Sequence, residues 1–161
     1  MSQPPRSAAL ASSTQPHRLF VTHLRPFSQP WADALRDAIN ADQAYRVAAR
    51  TWTWPVALVL EAAPALGYPV DTAVEFDLDR GTCTAARVLD PSAATAPFVL
   101  RAQYAAWKRI VRGALDPVMA VALRQVRLHG SLGTLMLHAG AAKALIACAR
   151  TVPTHFPDES G

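Results

Sequence analysis

The run His129-Gly130-Ser131-Leu132-Gly133 approaches the strand-to-helix turn on which hydrolases present a nucleophilic serine. It misses by one residue, because His129 stands where that turn needs glycine to form its sharp elbow. Ser131 then reads as a helix N-cap whose hydroxyl accepts a hydrogen bond from a free backbone N–H. His129 and His138 are the nearest bases, but a single histidine beside a strand end is more often hydrogen-bonded structure than a catalyst. Glu75, Asp77 and Asp79 form an acidic ladder, and paired carboxylates can divide general acid and base work. Their alternation with Val74, Phe76 and Leu78 places them on the solvent face of a strand, which argues against such a pair. The sequence has no phosphate-cradling glycine loop, zinc-protease helix, calcium loop or paired-cysteine motif, so no metal and no cofactor is expected.

The chain that must position these groups has 161 residues, 51% hydrophobic and 17% charged, the make-up of one globular domain whose core needs no staples. Cys83 and Cys148 are too few and too far apart for a disulfide framework or a zinc site, and suit buried thiols in a reducing cytosol. Lys+Arg of 16 against Asp+Glu of 12 gives a net charge of +4. The basic residues are spaced among acids, with no run and no aromatic-basic strip, so nucleic acid is not the expected partner. No stretch reaches the roughly 18 to 20 apolar residues of a membrane span. Residues 1–27, rich in Ser and Pro and without an apolar signal core, read as a disordered tail. Residues 155–161 read as a second, loose tail, which leaves a single domain over 28–154.

Within it, Trp31, Leu35, Ala38, Ile39, Tyr45 and Ala49 recur at three- and four-residue steps. That spacing predicts an amphipathic helix entered from Ser28-Gln29-Pro30, with Asn40 and Asp42 leaving open a break into two. From Trp52 to Gln103 the period turns to two, and four strands are expected. These are Val56 to Glu61, apolar on both faces; Val74 to Asp79; Thr82 to Leu89 after an Asp79-Arg80-Gly81 turn; and Phe98 to Ala102. Helical spacing returns over Tyr104 to Val111, Asp116-Pro117 opens a short helix through about Leu123, and Val126 to Leu128 is a last strand. A final helix over Leu132 to Ala149 carries a wide apolar stripe. The order predicts an α+β fold, a mixed five-stranded sheet with helices packed on one face.

In such a fold Leu58, Leu60, Phe98 and Leu100 of the strands converge with Leu132, Leu135, Met136 and Ala139 of the final helix. Spacing alone does not distinguish a filled core from a lined cavity. Met136 among small residues suits an adaptable wall.

Several short motifs share one pattern. They are Trp31, Ile39-Asn40, Tyr45 and Trp52; Trp107; Gly113-Ala114-Leu115-Asp116-Pro117 with Ala120; Val126-Arg127-Leu128-His129-Gly130-Ser131-Leu132; and Val152-Pro153-Thr154. Together they resemble the sterol carrier protein family, in the form of its small stand-alone bacterial members. Arg124 and Gln125 depart from the family's Gly and Lys, and Ser131 replaces an acidic or amide residue while keeping the capping role. The resemblance implies an apolar tunnel between sheet and helices, with Trp107 joining the lining residues above; the short connections of the final helix, Leu132 to Ala149, make it the expected lid. The function implied is binding or carriage of a hydrophobic small molecule such as a sterol or fatty acyl lipid. The alternative is an enzyme, an isomerase, hydratase, cyclase or thioester-handling protein, using the same pocket with one or two polar side chains. Tyr45, Asp116, His129 and His138 are the candidates for that role.

Overall fold

A computed structural model describes residues 23–159; positions 1–22 of the first expected tail, and residues 160 and 161, lie outside the described residues. Ser28 takes extended backbone and its Oγ accepts Trp31 N–H at 3.3 Å, which starts helix α1 over Gln29–Ala41. Asp42 leaves the helical region, and its Oδ1 accepts Tyr45 N–H at 2.7 Å to start α2 over Gln43–Ala48. The helix is therefore two, divided by an aspartate that ends one and caps the next. Asn40 ties α1 to the sheet: its Nδ2 donates to Cys83 O at 2.9 Å and its Oδ1 accepts Cys83 N–H at 2.7 Å. Asn40→Ala strands both backbone groups of buried Cys83 and is expected to lower the unfolding free energy by about 2 kcal/mol in a urea melt. An unchanged midpoint would show that water replaces the amide.

Strands β1 (Val56–Leu60), β2 (Thr72–Asp79), β3 (Thr82–Leu89), β4 (Phe98–Ala102) and β5 (Arg127–His129) form one sheet in the order β3-β2-β1-β4-β5. It is mixed, because β1 runs parallel to β4 while the other neighbours are antiparallel. All five residues of β1 are buried, as a central strand requires. Glu61, expected to close that strand, lies just beyond it and donates its N–H to Ala102 O at 3.0 Å. Arg80 and Gly81, both at positive φ, form the two-residue turn between β2 and β3. The last strand begins one residue later than expected, with Val126 buried in the core before it.

Since β4 lies beyond β1, the chain leaving β3 at the sheet edge must cross over β2 and β1 to reach it. Residues 90–97 make that crossing on the face opposite the helices. The crossing corrects the reading of the acidic ladder as solvent-facing. Glu75 points away from the helices, as alternation requires, yet it is 1% exposed. Its Oε1 accepts Arg87 Nη2 at 2.7 Å, and its Oε2 accepts the backbone N–H groups of Thr95 and Ala96, each at 2.8 Å. Asp77, half-buried, shares the same guanidinium at 3.0 Å. Asp79 alone of the three is open to solvent.

Helices α3 (Tyr104–Val111) and α4 (Pro117–Ala122) follow the expected positions, with Asp116 Oδ1 accepting the N–H groups of Val118 and Met119 at 2.9 Å. The single final helix expected from the apolar stripe is instead α5 (Leu132–Leu137) and α6 (Ala139–Thr151), divided at His138. Gly133 and Gly140 weaken the helical run on either side. At the break the His138 ring seats edge-on against Trp52 at 5.1 Å and Trp54 at 5.8 Å. Helix α6 packs against α1, α2, α3 and α4.

Packing also extends past both expected domain limits. Phe27 is buried and stacks on Trp31 with ring centroids 5.4 Å apart, and Leu24 N–H donates to Pro153 O at 2.8 Å. At the other end Phe156 is buried, and Asp158 accepts Tyr104 O–H at 2.7 Å and Lys108 Nζ at 2.9 Å. The tyrosine hydrogen bond, then the lysine, hold the Asp158 carboxyl below the usual carboxylate range. This tether is therefore present at neutral pH and weakens as acid protonates Asp158. Single aromatic anchors in polar segments carry no period, which is why the sequence reads these stretches as tails.

Candidate functional site

Alternation turns Val56 and Leu58 of β1, Leu78 of β2, and Phe98 and Leu100 of β4 toward the helices. From the other side come Leu135 of α5 and Ala141, Ala142, Leu145 and Ile146 of α6. Between them remains an apolar cavity of about 60 Å³, lined also by Tyr45, Trp52, Trp107, Pro117 and His138. A second void of about 20 Å³ opens toward Phe27 and Trp31. Leu58, Trp107, Leu145 and Ile146 line both and stand between them. These four shared side chains are where the two spaces adjoin. Pockets for drug-sized molecules start at roughly 300 Å³, so a lipid enters only if those side chains turn or α5 and α6 move outward.

Of the residues expected to line a tunnel, Leu58, Phe98, Leu100, Trp107 and Leu135 stand on the cavity wall. Leu60 is buried at the far end of β1, away from it, and Ala139 is half-buried at the start of α6 but off the wall. Leu132 and Met136 are 44% and 59% exposed. The break at His138 explains this: one straight helix would carry positions 132, 135, 136 and 139 on a single stripe, whereas the divided one buries only Leu135 of α5. Trp52, Val56, Leu78 and Pro117 were missed as wall residues. For Val56 and Leu78 the signal was present, since they share the inward phase of Leu58 and Phe76. Gly130, at φ 134°, lets the β5–α5 turn close on this wall: a Cβ there would lie 2.8 Å from Pro97 O and 2.9 Å from Phe98 Cδ1.

Polar atoms on the wall are few and mostly occupied. Trp107 Nε1 donates to Val59 O at 2.9 Å and Trp52 Nε1 to Trp54 O at 2.7 Å. Tyr45 is 1% exposed, and burial raises its hydroxyl far above the ordinary tyrosine range, so it stays neutral. Burial likewise pushes the free thiols of Cys83 and Cys148 up to about 11 and about 12. His138 Nδ1 lies 2.9 Å from Thr134 O, so the neutral ring carries its proton there and leaves Nε2 as an acceptor. Of the candidates for catalysis only Tyr45 and His138 reach the cavity. Asp116 caps α4 and lies 3.7 Å from Lys143 Nζ. His129 is exposed on β5, paired with Val99. Ser131 caps α5, its Oγ accepting Thr134 N–H at 3.1 Å. No cluster of three or more His, Cys, Asp or Glu suited to a metal occurs among the described residues.

Comparison with known proteins agrees with this architecture. A family model described as the SCP-2 sterol transfer family matches residues 30–143. A crystal structure of sterol carrier protein 2 superposes with a TM-score of 0.76 at 35% identity, covering 80% of this chain and 99% of that one. The solution structure of a conserved hypothetical protein from Thermus thermophilus, described as possibly a sterol carrier protein, gives a TM-score of 0.76 at 33% identity over 84% of this chain and 94% of its own. Sterol carrier protein domain 2 of Helicoverpa armigera shares the fold at a TM-score of 0.52 and 13% identity, over 81% of this chain and 95% of that one. No curated protein sequence matches. With a family match that spans both helices α1 and α5 and every strand between them, the chain belongs to the SCP-2 sterol transfer family.

Proposed function

We propose that this protein binds and carries a hydrophobic small molecule, a sterol, fatty acyl chain or similar lipid, between the sheet and helices α5 and α6. The observation that carries this reading is unfilled space walled by aliphatic and aromatic side chains whose indole N–H groups are already bonded to backbone carbonyls. Burying a methylene gains about 0.8 kcal/mol, so a sixteen-carbon chain offers on the order of 12 kcal/mol against association, ordering and the opening of the wall. Helix α5 is the part that moves: one of its residues, Leu135, is buried, and His138 breaks it from α6. Leu132, Met136 and Leu137, exposed in this structure, supply apolar surface to lay against a guest. No helix among the described residues is long and apolar enough to cross a membrane, and two buried, unbridged thiols suit a reducing cytosol. The enzymatic alternative is left with Tyr45 and His138, and no carboxylate lines the cavity beside them.

Native mass spectrometry of the protein purified without detergent tests the proposal. The expected result is a lipid adduct that organic extraction removes and added fatty acid restores. Protein that is ligand-free as purified, and that also fails to take up fatty acid or sterol, would contradict it.

A further inference from the structure

Four of the 16 basic residues are gathered by the fold at one place. Arg101 of β4, Arg109 of α3, Arg124 of the α4–β5 connection and Arg127 of β5 line a surface cleft of about 430 Å³, with Glu61 the one carboxylate on its wall. The cleft shares no residue with the apolar cavity. Two features of it are unfavourable in an empty cleft. Arg101 and Arg127 are directly opposed in the β4–β5 register, a position at which like charges repel. Arg124 sits at φ 62°, in the left-handed region where glycine is the default and a branched or long side chain is strained.

The available neutralisation is incomplete. Arg101 pairs with Asp71 at 2.7 Å, and Arg127 comes only within 4.0 Å of Glu61. Arg109 finds an uncharged partner, Gln125 Oε1, at 3.3 Å. Arg124 makes no ion pair and no side-chain hydrogen bond among the described residues. Guanidinium forks match the oxygens of a phosphate two at a time, and several together favour a multiply charged one.

We infer that this cleft is an anion site for a phosphate-bearing compound, with Arg124 and Arg127 as its principal contacts, held in a strained and self-repelling arrangement that the anion relieves. The inference is independent of the lipid cavity and survives or fails without it. Two sources share the chemistry: a soluble phosphate ester or the phosphate headgroup of a membrane lipid.

Titration of the full chain with inorganic pyrophosphate at low ionic strength tests it. Saturable binding is expected, weakened about tenfold by Arg124→Gly and by Arg127→Gln. Arg80→Gln, the same charge change at the opposite end of the sheet, should leave it unaltered. Because glycine suits φ 62°, Arg124→Gly should keep or raise the thermal midpoint, by up to about 4 °C, which separates lost contact from lost fold. Sedimentation with phosphatidylcholine vesicles, with and without phosphatidic acid, identifies the source. Retention on the acidic vesicles that Arg124→Gly abolishes assigns a headgroup, whereas pyrophosphate binding without vesicle retention assigns a soluble ester. Absence of saturable pyrophosphate binding, or equal weakening by Arg80→Gln, would overturn the site.

Discussion

Ala142→Trp is expected to reduce the affinity for a sixteen-carbon fatty acid at least about tenfold, while costing about 1 to 3 kcal/mol of stability. Ala142 is half-buried on α6 and lines the apolar cavity. An indole at this position projects into the space between Leu100 and Leu145, fills what little volume exists and blocks the widening that a guest requires. Its stability cost is set by overpacking against the sheet, so it stays moderate if α6 can shift outward. Ala147, exposed on the same helix, is the control: Ala147→Trp adds the same bulk on the solvent side and should leave binding intact. Fatty acid titrations of the two variants by calorimetry separate the cases. Equal affinity in both would mean that the guest lies elsewhere.

The second large effect falls on the opposite face of the sheet. Glu75→Ala should destabilise the protein by about 3 to 5 kcal/mol in a urea melt, because it removes the buried partner of one guanidinium and two backbone N–H groups at once. Arg87 retains Asp77, but the Ala96 N–H is left without an acceptor in a buried position. Glu75→Gln keeps an acceptor and should fall between wild type and alanine. The consequence reaches the cavity, since residues 90–97 lead directly into Phe98, which stands on its wall. A cost below about 1 kcal/mol for the alanine variant would show that water takes over the carboxylate's role.

The sheet was readable from the chain because its strands obey a period of two between clear turn residues, down to Arg80-Gly81 at positive φ. The sequence also shows a carboxylate at Glu75 in the outward phase. It does not show that the β3–β4 connection crosses above it, because that crossing follows from strand order, which no local pattern encodes. Similarly, Leu132 to Ala149 has the spacing of one helix, whereas the structure divides it at His138, where the ring meets Trp52 and Trp54 from a distant part of the chain. In the divided helix Leu132 and Met136 lie at the surface and Leu135 is inside. The arginine cleft is the clearest case. Arg101, Arg109 and the Arg124/Arg127 pair lie eight or more positions apart in the chain, and the pairing of β4 with β5 beside α3 brings them to one cleft.

The central claim, that the acyl chain of a lipid lies between the sheet and helix α6, is tested most directly by intermolecular nuclear Overhauser effects between a carbon-13-labelled fatty acid and the leucine methyl groups. Contacts from the labelled chain to Leu58, Leu100, Leu135 and Leu145 are the predicted result. Contacts confined to the exposed Leu123, Leu132 and Leu137 at saturating ligand would contradict the account.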